Sequence, residues 1–234
     1  MDLSSIRVLI WDFDGTLYRA IPAFHEVILR AAYRVIMNHT GWSQEKTLQR
    51  FNEVYKVETP SSTETAAKLS GISIREAAIE CELTKEDRTK FIQRDDKLIA
   101  LFHSLSSFTH YMLANGIREK ILPALSVLGV SEDTFTEIVT SEVVGVTKPA
   151  PDGFLYIMQK TGLPAAAHLM IGDREAVDLA PAKALGMKTC LVWSETPSTV
   201  ADITLPNVYD IEKILGVSGA GRDAVSSHRH GFGG

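Results

Sequence analysis

Two aspartates separated by one residue, Asp12 and Asp14, directly follow a short apolar run, Val8 to Trp11. The run has no helical period, which predicts a strand buried on both faces. Gly15 and Thr16 come next, at a point where the chain must turn sharply. Two carboxylates this close repel one another unless a cation lies between them. We therefore expect a metal ion at the end of this strand and search the rest of the chain for its other ligands.

Further polar residues follow later strands. A strand is predicted from Phe108 to Leu113, before Ala114-Asn115-Gly116, and another from His168 to Ile171, before Gly172-Asp173. Lys148 lies in a loop predicted from Val146 to Pro151. Ligands of open parallel sheets bind beyond the carboxyl ends of the strands. These segments are therefore the candidates for joining Asp12 and Asp14 in one site.

The segment from about Ile21 to about Ser107 has a helical pattern nearly throughout. Apolar residues from Phe24 to Ile36 recur at the three- and four-residue spacing of one helix face. Ser73 and Glu76 have the spacing of a capping box. The further helices predicted here cover Gln44 to Tyr55, Ser61 to Leu69, Ile74 to Cys81 and Lys85 to about Leu105.

Beyond Ser107, strands and helices alternate. This order predicts an α/β fold with a doubly wound parallel sheet, a Rossmann-like core, into which the all-helical segment is inserted. The predicted helices are Arg118 to Leu128, Asp152 to Lys160, Glu175 to Leu185 and Val208 to Leu215. The remaining predicted strands are Thr136 to Thr140, Thr189 to Val192 and an edge strand at Ile203 to Thr204.

The composition is that of an ordinary globular protein, with 45% apolar and 23% charged residues among 234. A formal net charge of −5 gives no reason to expect nucleic acid or an anionic membrane as a partner. The N-terminus lacks the pattern of a signal peptide, and no apolar stretch is long enough to span a bilayer. The two cysteines, Cys81 and Cys190, lack metal-type spacing. We expect a cytoplasmic protein with a disordered tail at 217–234.

Three short motifs occur in a fixed order: DFDGT at 12–16, TKPAPDGF at 147–154 and GDREAVD at 172–178. Together they resemble the haloacid dehalogenase superfamily, in its phosphatase type with a helical cap. The resemblance implies an α/β phosphatase core at 1–18 and 108–216 and a helical cap at 19–107. It also implies a small phosphorylated metabolite as substrate and a monomer or homodimer.

The resemblance assigns roles to these residues. It makes Asp12 the nucleophile that forms an aspartyl-phosphate, Asp14 the general acid and base, and Lys148 the cation that neutralises the phosphoryl charge. Mg²⁺ is the implied cofactor, with Asp12, Asp14 (through its carbonyl), Asp173 and Asp178 around it. The residues implied to bind phosphate are Asp12, Phe13, Asp14, Gly15, Thr16, Ala114, Asn115 and Lys148.

One position departs from the family pattern. The family places Ser or Thr at the end of the second strand, where this chain has Ala114. Losing one hydroxyl donor costs on the order of 3 kcal/mol of transition-state stabilisation, about a hundredfold in rate. The function expected is a Mg²⁺-dependent phosphatase of a small phosphate monoester. The alternatives are a phosphomutase of the same fold and a catalytically impaired phosphate-binding or regulatory protein.

Simpler interpretations exist for several of these residues. Taken alone, Asp173 could be a helix N-cap, and Asp178 and Lys148 could be surface residues. Arg19, His25 and Arg30 at the start of the helical segment are further candidates to face the site. The predicted packing or surface histidines are His25, His39, His103, His110 and His168.

Overall fold

A six-stranded, fully parallel sheet forms the centre of the protein. The structure is a computed structural model that describes residues 2–217, so the tail predicted at 217–234 lies outside the described residues, apart from Val217. The strands stand in the order β3-β2-β1-β4-β5-β6. They are β1 Val8–Trp11, β2 Thr109–Leu113, β3 Glu137–Val139, β4 His168–Gly172, β5 Lys188–Leu191 and β6 Ile203–Thr204.

Helices lie between the strands and within the long segment after β1. They are α1 Pro22–Thr40, α2 Gln44–Val54, α3 Ser62–Ser70, α4 Ile74–Thr84, α5 Asp96–Ser104, α6 Arg118–Leu128, α7 Ser141–Val144, α8 Asp152–Thr161, α9 Ala180–Ala184 and α10 Ile211–Ile214. A 3₁₀ turn covers Arg88–Phe91 and a π-helical turn covers Glu175–Leu179. No helix among residues 2–217 combines the length and apolar character needed to cross a membrane.

Both faces of the sheet are buried, which explains the apolar run in β1. Leu9 and Trp11 belong to an apolar cluster that includes residues of α5, α6 and α10. Val8 and Ile10, which point the other way, belong to a second cluster with residues of α8 and α9. Alternate residues of a strand face opposite sides, so a strand covered on both sides must be apolar throughout. The predicted doubly wound parallel sheet is confirmed.

Helices α1 to α4 have an apolar cluster of their own. It contains Ala32, Val35 and Ile36 of α1, packed with Phe51 of α2 and with small residues of α3 and α4. The predicted capping box at Ser73 starts α4, with hydrogen bonds in both directions to Glu76. Helix α5 differs, because its apolar residues pack in the cluster on the sheet. The helical segment therefore packs partly on itself and partly on the sheet.

The single long helix predicted from Lys85 to Leu105 is wrong. The chain forms the turn at Arg88–Phe91 and then a separate helix, α5. Two aspartates cause the break, because side chains of this kind compete for backbone N–H groups and favour helix starts. Asp87 accepts a hydrogen bond from the Thr89 N–H, and Asp95 caps α5. The interruption directs Arg88 into the interior, where its side chain is 2% exposed.

The helix predicted from Glu175 to Leu185 is also modified. It begins with the π-helical turn, and regular α-helix follows only from Ala180 to Ala184. Pro181 lacks an N–H and so cannot donate to the preceding turn. In this arrangement the Asp178 carboxylate lies against the strand end, and a Cβ added to Gly172 would lie 2.6 Å from the Asp178 Cβ. Only glycine fits at position 172.

Candidate active site

Lys148 lies between two buried carboxylates at the carboxyl end of the sheet. Its Nζ is 2.6 Å from Oδ1 of Asp12 and 2.7 Å from Oδ1 of Asp178. All three residues are buried, at 2% exposure or less. An ion pair buried this far is retained only with close geometry and extra hydrogen bonds. The second Asp12 oxygen accepts from the Thr16 hydroxyl at 3.3 Å, and the second Asp178 oxygen accepts from the Arg174 N–H at 3.1 Å.

A third carboxylate, that of Asp173, completes an acidic cluster. Oxygens of Asp12, Asp173 and Asp178 lie within 4.8 Å of one another, and Oδ1 of Asp173 is buried without a hydrogen-bond partner among residues 2–217. Burial and the charge of Asp12 hold the pKa of Asp173 well above its usual range. Burial and the charge of Asp178 also raise the pKa of Asp12, although Lys148 opposes this. These hard oxygen ligands fit a divalent cation.

Asp14 faces a different set of partners. The Tyr18 hydroxyl donates to its Oδ1, Nη1 of Arg88 lies 3.0 Å from its Oδ2, and Nζ of Lys85 lies 3.9 Å from the same oxygen. Glu82 pairs with both Lys85 and Arg88. Burial opposes ionisation of Asp14, but the charges of Arg88 and Lys85 and the Tyr18 hydrogen bond outweigh it, so the pKa of Asp14 is lowered. Asp12 and Asp14 are thus held in opposite electrostatic environments.

The turn after β1 allows the carboxylates to approach one another. Gly15 has a φ of 89°, and a Cβ there would lie 2.7 Å from Cγ of Asp173. A side chain at this position would therefore be strained and would overlap the acidic cluster. Trp193 also stabilises this turn, because its indole N–H donates to the Thr16 carbonyl at 3.0 Å. Phe13 is buried, and its ring lies 5.3 Å from the Arg88 guanidinium carbon.

Asn115 binds the backbone of Lys148. Its side-chain amide donates to the Lys148 carbonyl at 2.9 Å, and its side-chain oxygen accepts from the Lys148 N–H at 2.8 Å. Ala114 contributes no donor, because its own N–H donates to the Val139 carbonyl at 3.0 Å in the sheet. The methyl group of Ala114 is therefore what this position presents to the adjacent cavity.

A cavity of about 150 Å³ lies above these residues, between the sheet and the helical segment. Asp12, Asp14, Asp173 and Arg174 line it from the side of the sheet, together with the 114–116 turn. From the helical segment it is lined by Ala20, Phe24, His25, Ile28, Tyr55, Ser61, Ser62, Thr63, Glu82 and Lys85. The predicted core residues and the helical insertion thus meet at one partly open cavity with a mixed polar and apolar lining.

Of the other arginine and histidine candidates, some line a cavity and others lie away from the site. His25 lines the cavity, whereas Arg19 lines a neighbouring one with Gly15 and Asp173. Arg30 is exposed and pairs with Glu26 one helical turn away, so it takes no part in the site. His110 and His168 are buried and hydrogen-bonded within the sheet region, as predicted for packing residues.

Sequence analysis missed the charged residues that surround Asp14, namely Glu82, Lys85 and Arg88. They are three residues apart and directly follow the helix predicted to end at Cys81. If that helix continued, this spacing would put the three charges on one side of it, which is a signal visible in the sequence. The spacing alone does not indicate that these residues interact with Asp14. Arg174 was also missed, although it stands inside the GDREAVD motif between two residues that were selected.

The family model described as haloacid dehalogenase-like hydrolase matches residues 6–186. The chain belongs to that family, and the predicted family and the prediction of an enzyme of the hydrolase class are confirmed. It is 25% identical over 226 residues to the phosphoglycolate phosphatase of Pectobacterium atrosepticum, covering 93% of this chain and 95% of that protein.

Solved structures support the fold. A haloacid dehalogenase phosphatase from Thermococcus onnurineus has a TM-score of 0.62 at 21% identity, over 91% of this chain and 99% of that one. The hydrolase YfnB from Bacillus subtilis, solved bound to magnesium, has a TM-score of 0.60 at 20% identity, over 91% and 99%. At these identities the likeness concerns the fold alone.

Proposed function

We propose that this hydrolase is a Mg²⁺-dependent phosphatase that cleaves a small phosphate monoester through an aspartyl-phosphate on Asp12. The observation that carries the proposal is the buried arrangement of Lys148 between Asp12 and Asp178, with Asp173 and an enclosed cavity beside it. The phosphatase name of the Pectobacterium relative, which matches over nearly the whole chain, supports the same reaction class.

The acidic cluster is the proposed Mg²⁺ site. Asp12 and Asp173 would hold the ion directly, with Asp14 contributing its carbonyl and Asp178 holding a bound water or orienting Lys148. When bound, Mg²⁺ would offset the charge of the carboxylates and of the phosphoryl oxygens. The orphaned Asp173 oxygen and the raised pKa values of Asp12 and Asp173 support a cation here. The YfnB structure, which shares this fold, was solved bound to magnesium, and this supports Mg²⁺ as the proposed ion.

In the proposed reaction, a carboxylate oxygen of Asp12 attacks phosphorus while the bond to the leaving oxygen breaks. Lys148 neutralises charge that builds up beside Asp12, and Asp178 fixes the position of its ammonium group. Asp14 protonates the leaving oxygen and then takes a proton from the water that hydrolyses the aspartyl-phosphate. The cations around Asp14 favour its ionised form, which suits the second of these steps.

Helices α1 to α4 are the proposed cap. They have an apolar cluster of their own and supply one wall of the cavity, which supports a unit that covers the site. A cap of this kind selects the substrate and excludes water from the reaction. A cavity of about 150 Å³ suits a small phosphorylated metabolite. The boundaries 19–107, and the choice between monomer and homodimer, stay predictions.

A second candidate function is a phosphate-binding or regulatory protein without turnover. Ala114 favours it, because this position offers neither a hydroxyl nor a free N–H. Ala114→Thr tests this alternative. If turnover is undetectable in the native chain and rises sharply in the variant, the native chain binds without catalysing. If the native chain already turns over substrate rapidly, the second candidate fails.

The proposed function is tested by a screen of p-nitrophenyl phosphate and phosphorylated metabolites with Mg²⁺ present, comparing Asp12→Asn with Asp152→Asn. Asp152 is an exposed aspartate at the start of α8, so its variant makes the same chemical change at a side chain outside the cavity lining and the acidic cluster. We expect turnover in the native chain and in Asp152→Asn, and none in Asp12→Asn. Acid-quenched native protein should also carry one phosphoryl group by mass spectrometry. Turnover that survives Asp12→Asn would refute the mechanism.

A further inference from the structure

Arg174 is the cation of this site to which no role has yet been given. It follows Asp173 directly, and its side chain lines the same cavity as Asp12, Asp14 and Ala114. Its Nε is buried and has no hydrogen-bond partner among residues 2–217, whereas the side chain as a whole is 41% exposed. The side chain therefore lines the cavity while only part of it is covered by the rest of the protein.

The carboxylates attract Arg174 without binding it closely. Its Nε lies 3.9 Å from Oδ1 of Asp173 and 3.8 Å from Oδ2 of Asp178, and both distances exceed a hydrogen bond. Burial opposes the charge of Arg174, but Asp178, Asp12, Asp173 and Asp14 together raise its pKa, so the guanidinium stays charged.

The charge of Arg174 also reaches the opposite wall of the cavity. The pKa of His25 is lowered mainly by burial, and the charges of Lys56 and Arg174 lower it further. His25 belongs to α1, whereas Arg174 follows β4. Arg174 and His25 line the same cavity, one from the sheet and the other from the helical segment.

Ala114 lines the same cavity but offers it no hydrogen-bond donor, because it has no hydroxyl and its N–H is bonded in the sheet. A guanidinium presents several N–H donors in a planar fork that matches two phosphoryl oxygens, which no other side chain does. Lys148 can offer a phosphoryl group only one further N–H, because its ammonium already contacts both Asp12 and Asp178. Two cations line the cavity among residues 2–217, and they differ: Lys85 pairs with Glu82, whereas Arg174 Nε has no hydrogen-bond partner.

We propose that the Arg174 guanidinium binds the phosphoryl group of the substrate and supplies the hydrogen-bond donor that Ala114 lacks. This inference rests on the proposed function, because it assumes a phosphoryl group in the cavity. It adds a substrate-binding residue and explains how a site without the usual hydroxyl retains its oxyanion contacts. Removal of Arg174 should therefore weaken phosphoryl binding and leave the acidic cluster able to hold a cation.

The first test measures binding and needs no turnover. Inorganic phosphate and orthovanadate, each with Mg²⁺, are titrated calorimetrically into the native protein, Arg174→Ala, Arg174→Lys and Arg50→Ala. Arg50 is an exposed arginine of α2 paired with Glu53 and serves as the matched control. We expect Arg174→Ala to weaken anion binding by about tenfold or more, Arg174→Lys to weaken it less, and Arg50→Ala to have no effect.

Titration of Mg²⁺ alone separates two explanations. If Arg174 contacts the anion, Arg174→Ala leaves Mg²⁺ binding unchanged or tightens it, because a cation beside the acidic cluster has been removed. If the variant loses Mg²⁺ binding together with anion binding, Arg174 acts by positioning the carboxylates and the proposal is wrong. Anion binding equal to that of the native protein also overturns it.

The second test uses a double-mutant cycle between positions 174 and 114. A threonine hydroxyl at 114 should matter most when the guanidinium is absent, since both would donate to the same phosphoryl oxygens. We expect Ala114→Thr to raise kcat/KM by about tenfold in the Arg174→Ala background and by much less in the native chain. Equal gains in both backgrounds would overturn the shared role.

The tests also separate this inference from the proposed function. A native chain that binds phosphate through Arg174 but never turns over substrate refutes the phosphatase and supports the Arg174 assignment. A native chain that turns over substrate, loses activity in Asp12→Asn and is unaffected by Arg174→Ala supports the phosphatase and refutes the Arg174 assignment.

Discussion

The side chain of Asn115 holds the backbone of Lys148 on both sides, donating to its carbonyl at 2.9 Å and accepting from its N–H at 2.8 Å. The two residues come from different loops, 33 positions apart, and this pair of bonds joins the end of β2 to the loop before α8. The lysine that contacts Asp12 is thus positioned through its main chain as well as through its ammonium group.

Replacement of Asn115 should therefore lower the rate of the reaction. We expect Asn115→Ala to reduce kcat by about tenfold, which corresponds to about 1.4 kcal/mol and is of the order of one net hydrogen bond. Asn207→Ala is the control, because the Asn207 amide makes a similar pair of bonds to Asp210 far from the site. Steady-state kinetics should show a loss for Asn115 alone. A loss shared by both variants would indicate a general effect on stability.

The left-handed turn at Gly15 gives a second prediction. Gly15→Ala should abolish most Mg²⁺-dependent activity, because the added Cβ would displace the Asp173 carboxylate. Gly71→Ala is a close control, since Gly71 has a φ of 70° and nothing within 4 Å of the added atom. Both variants should lose about 1 kcal/mol of stability from backbone strain. Activity retained in Gly15→Ala would show that Asp173 can move without consequence.

The buried charges around Arg88 make it a structural anchor between the helical segment and the catalytic turn. Arg88→Ala leaves Glu82 and Asp14 without their guanidinium partner and should cost about 3 kcal/mol of the free energy of unfolding. Arg94→Ala removes an exposed pair with Asp96 and should cost less than about 1 kcal/mol. Urea denaturation measures both values. Equal losses would mean that the buried network contributes no more than a surface pair.

The acidic cluster should make stability depend on Mg²⁺. In the native chain, added Mg²⁺ should raise the melting temperature, because the ion binds the folded state and relieves repulsion among the carboxylates. Asp173→Asn should remove that shift and, without Mg²⁺, raise the melting temperature, because burial and the charge of Asp12 disfavour the ionised Asp173 carboxylate. Asp152→Asn should behave like the native chain. Equal Mg²⁺ shifts in all three proteins would place the ion elsewhere.

The sheet could be predicted because its signals are local. The strands β1, β2 and β4 are short, mostly apolar runs with a polar residue or glycine within two residues of their ends. Because ligands of a parallel sheet bind beyond the carboxyl ends of its strands, the residues that follow are expected at a common edge. Asp12, Lys148 and Asp173 were selected on this basis and on the family motifs, and the structure brings them together. Their roles in catalysis stay predictions.

The surroundings of Asp14 could not be predicted in the same way. Arg88 reaches Asp14 because the chain breaks its helix at Asp87 and packs the following turn inward, which depends on tertiary contacts. The predicted long helix from Lys85 would have put this arginine on a continuous helical face. Similarly, the occupied N–H of Ala114 follows from its pairing with Val139 and has no signature in the sequence.

The position of β1 in the sheet has a consequence for the order in which the protein can assemble. Val8 pairs with Thr109 of β2 on one side and with His168 of β4 on the other. Both strands that neighbour β1 are therefore synthesised long after it. Contacts this distant in sequence form slowly, whereas α1 to α4 can pack on one another locally. During synthesis, β1 can therefore complete its pairing only after β4 has left the ribosome. The candidate active site then forms only after most of the chain has been made.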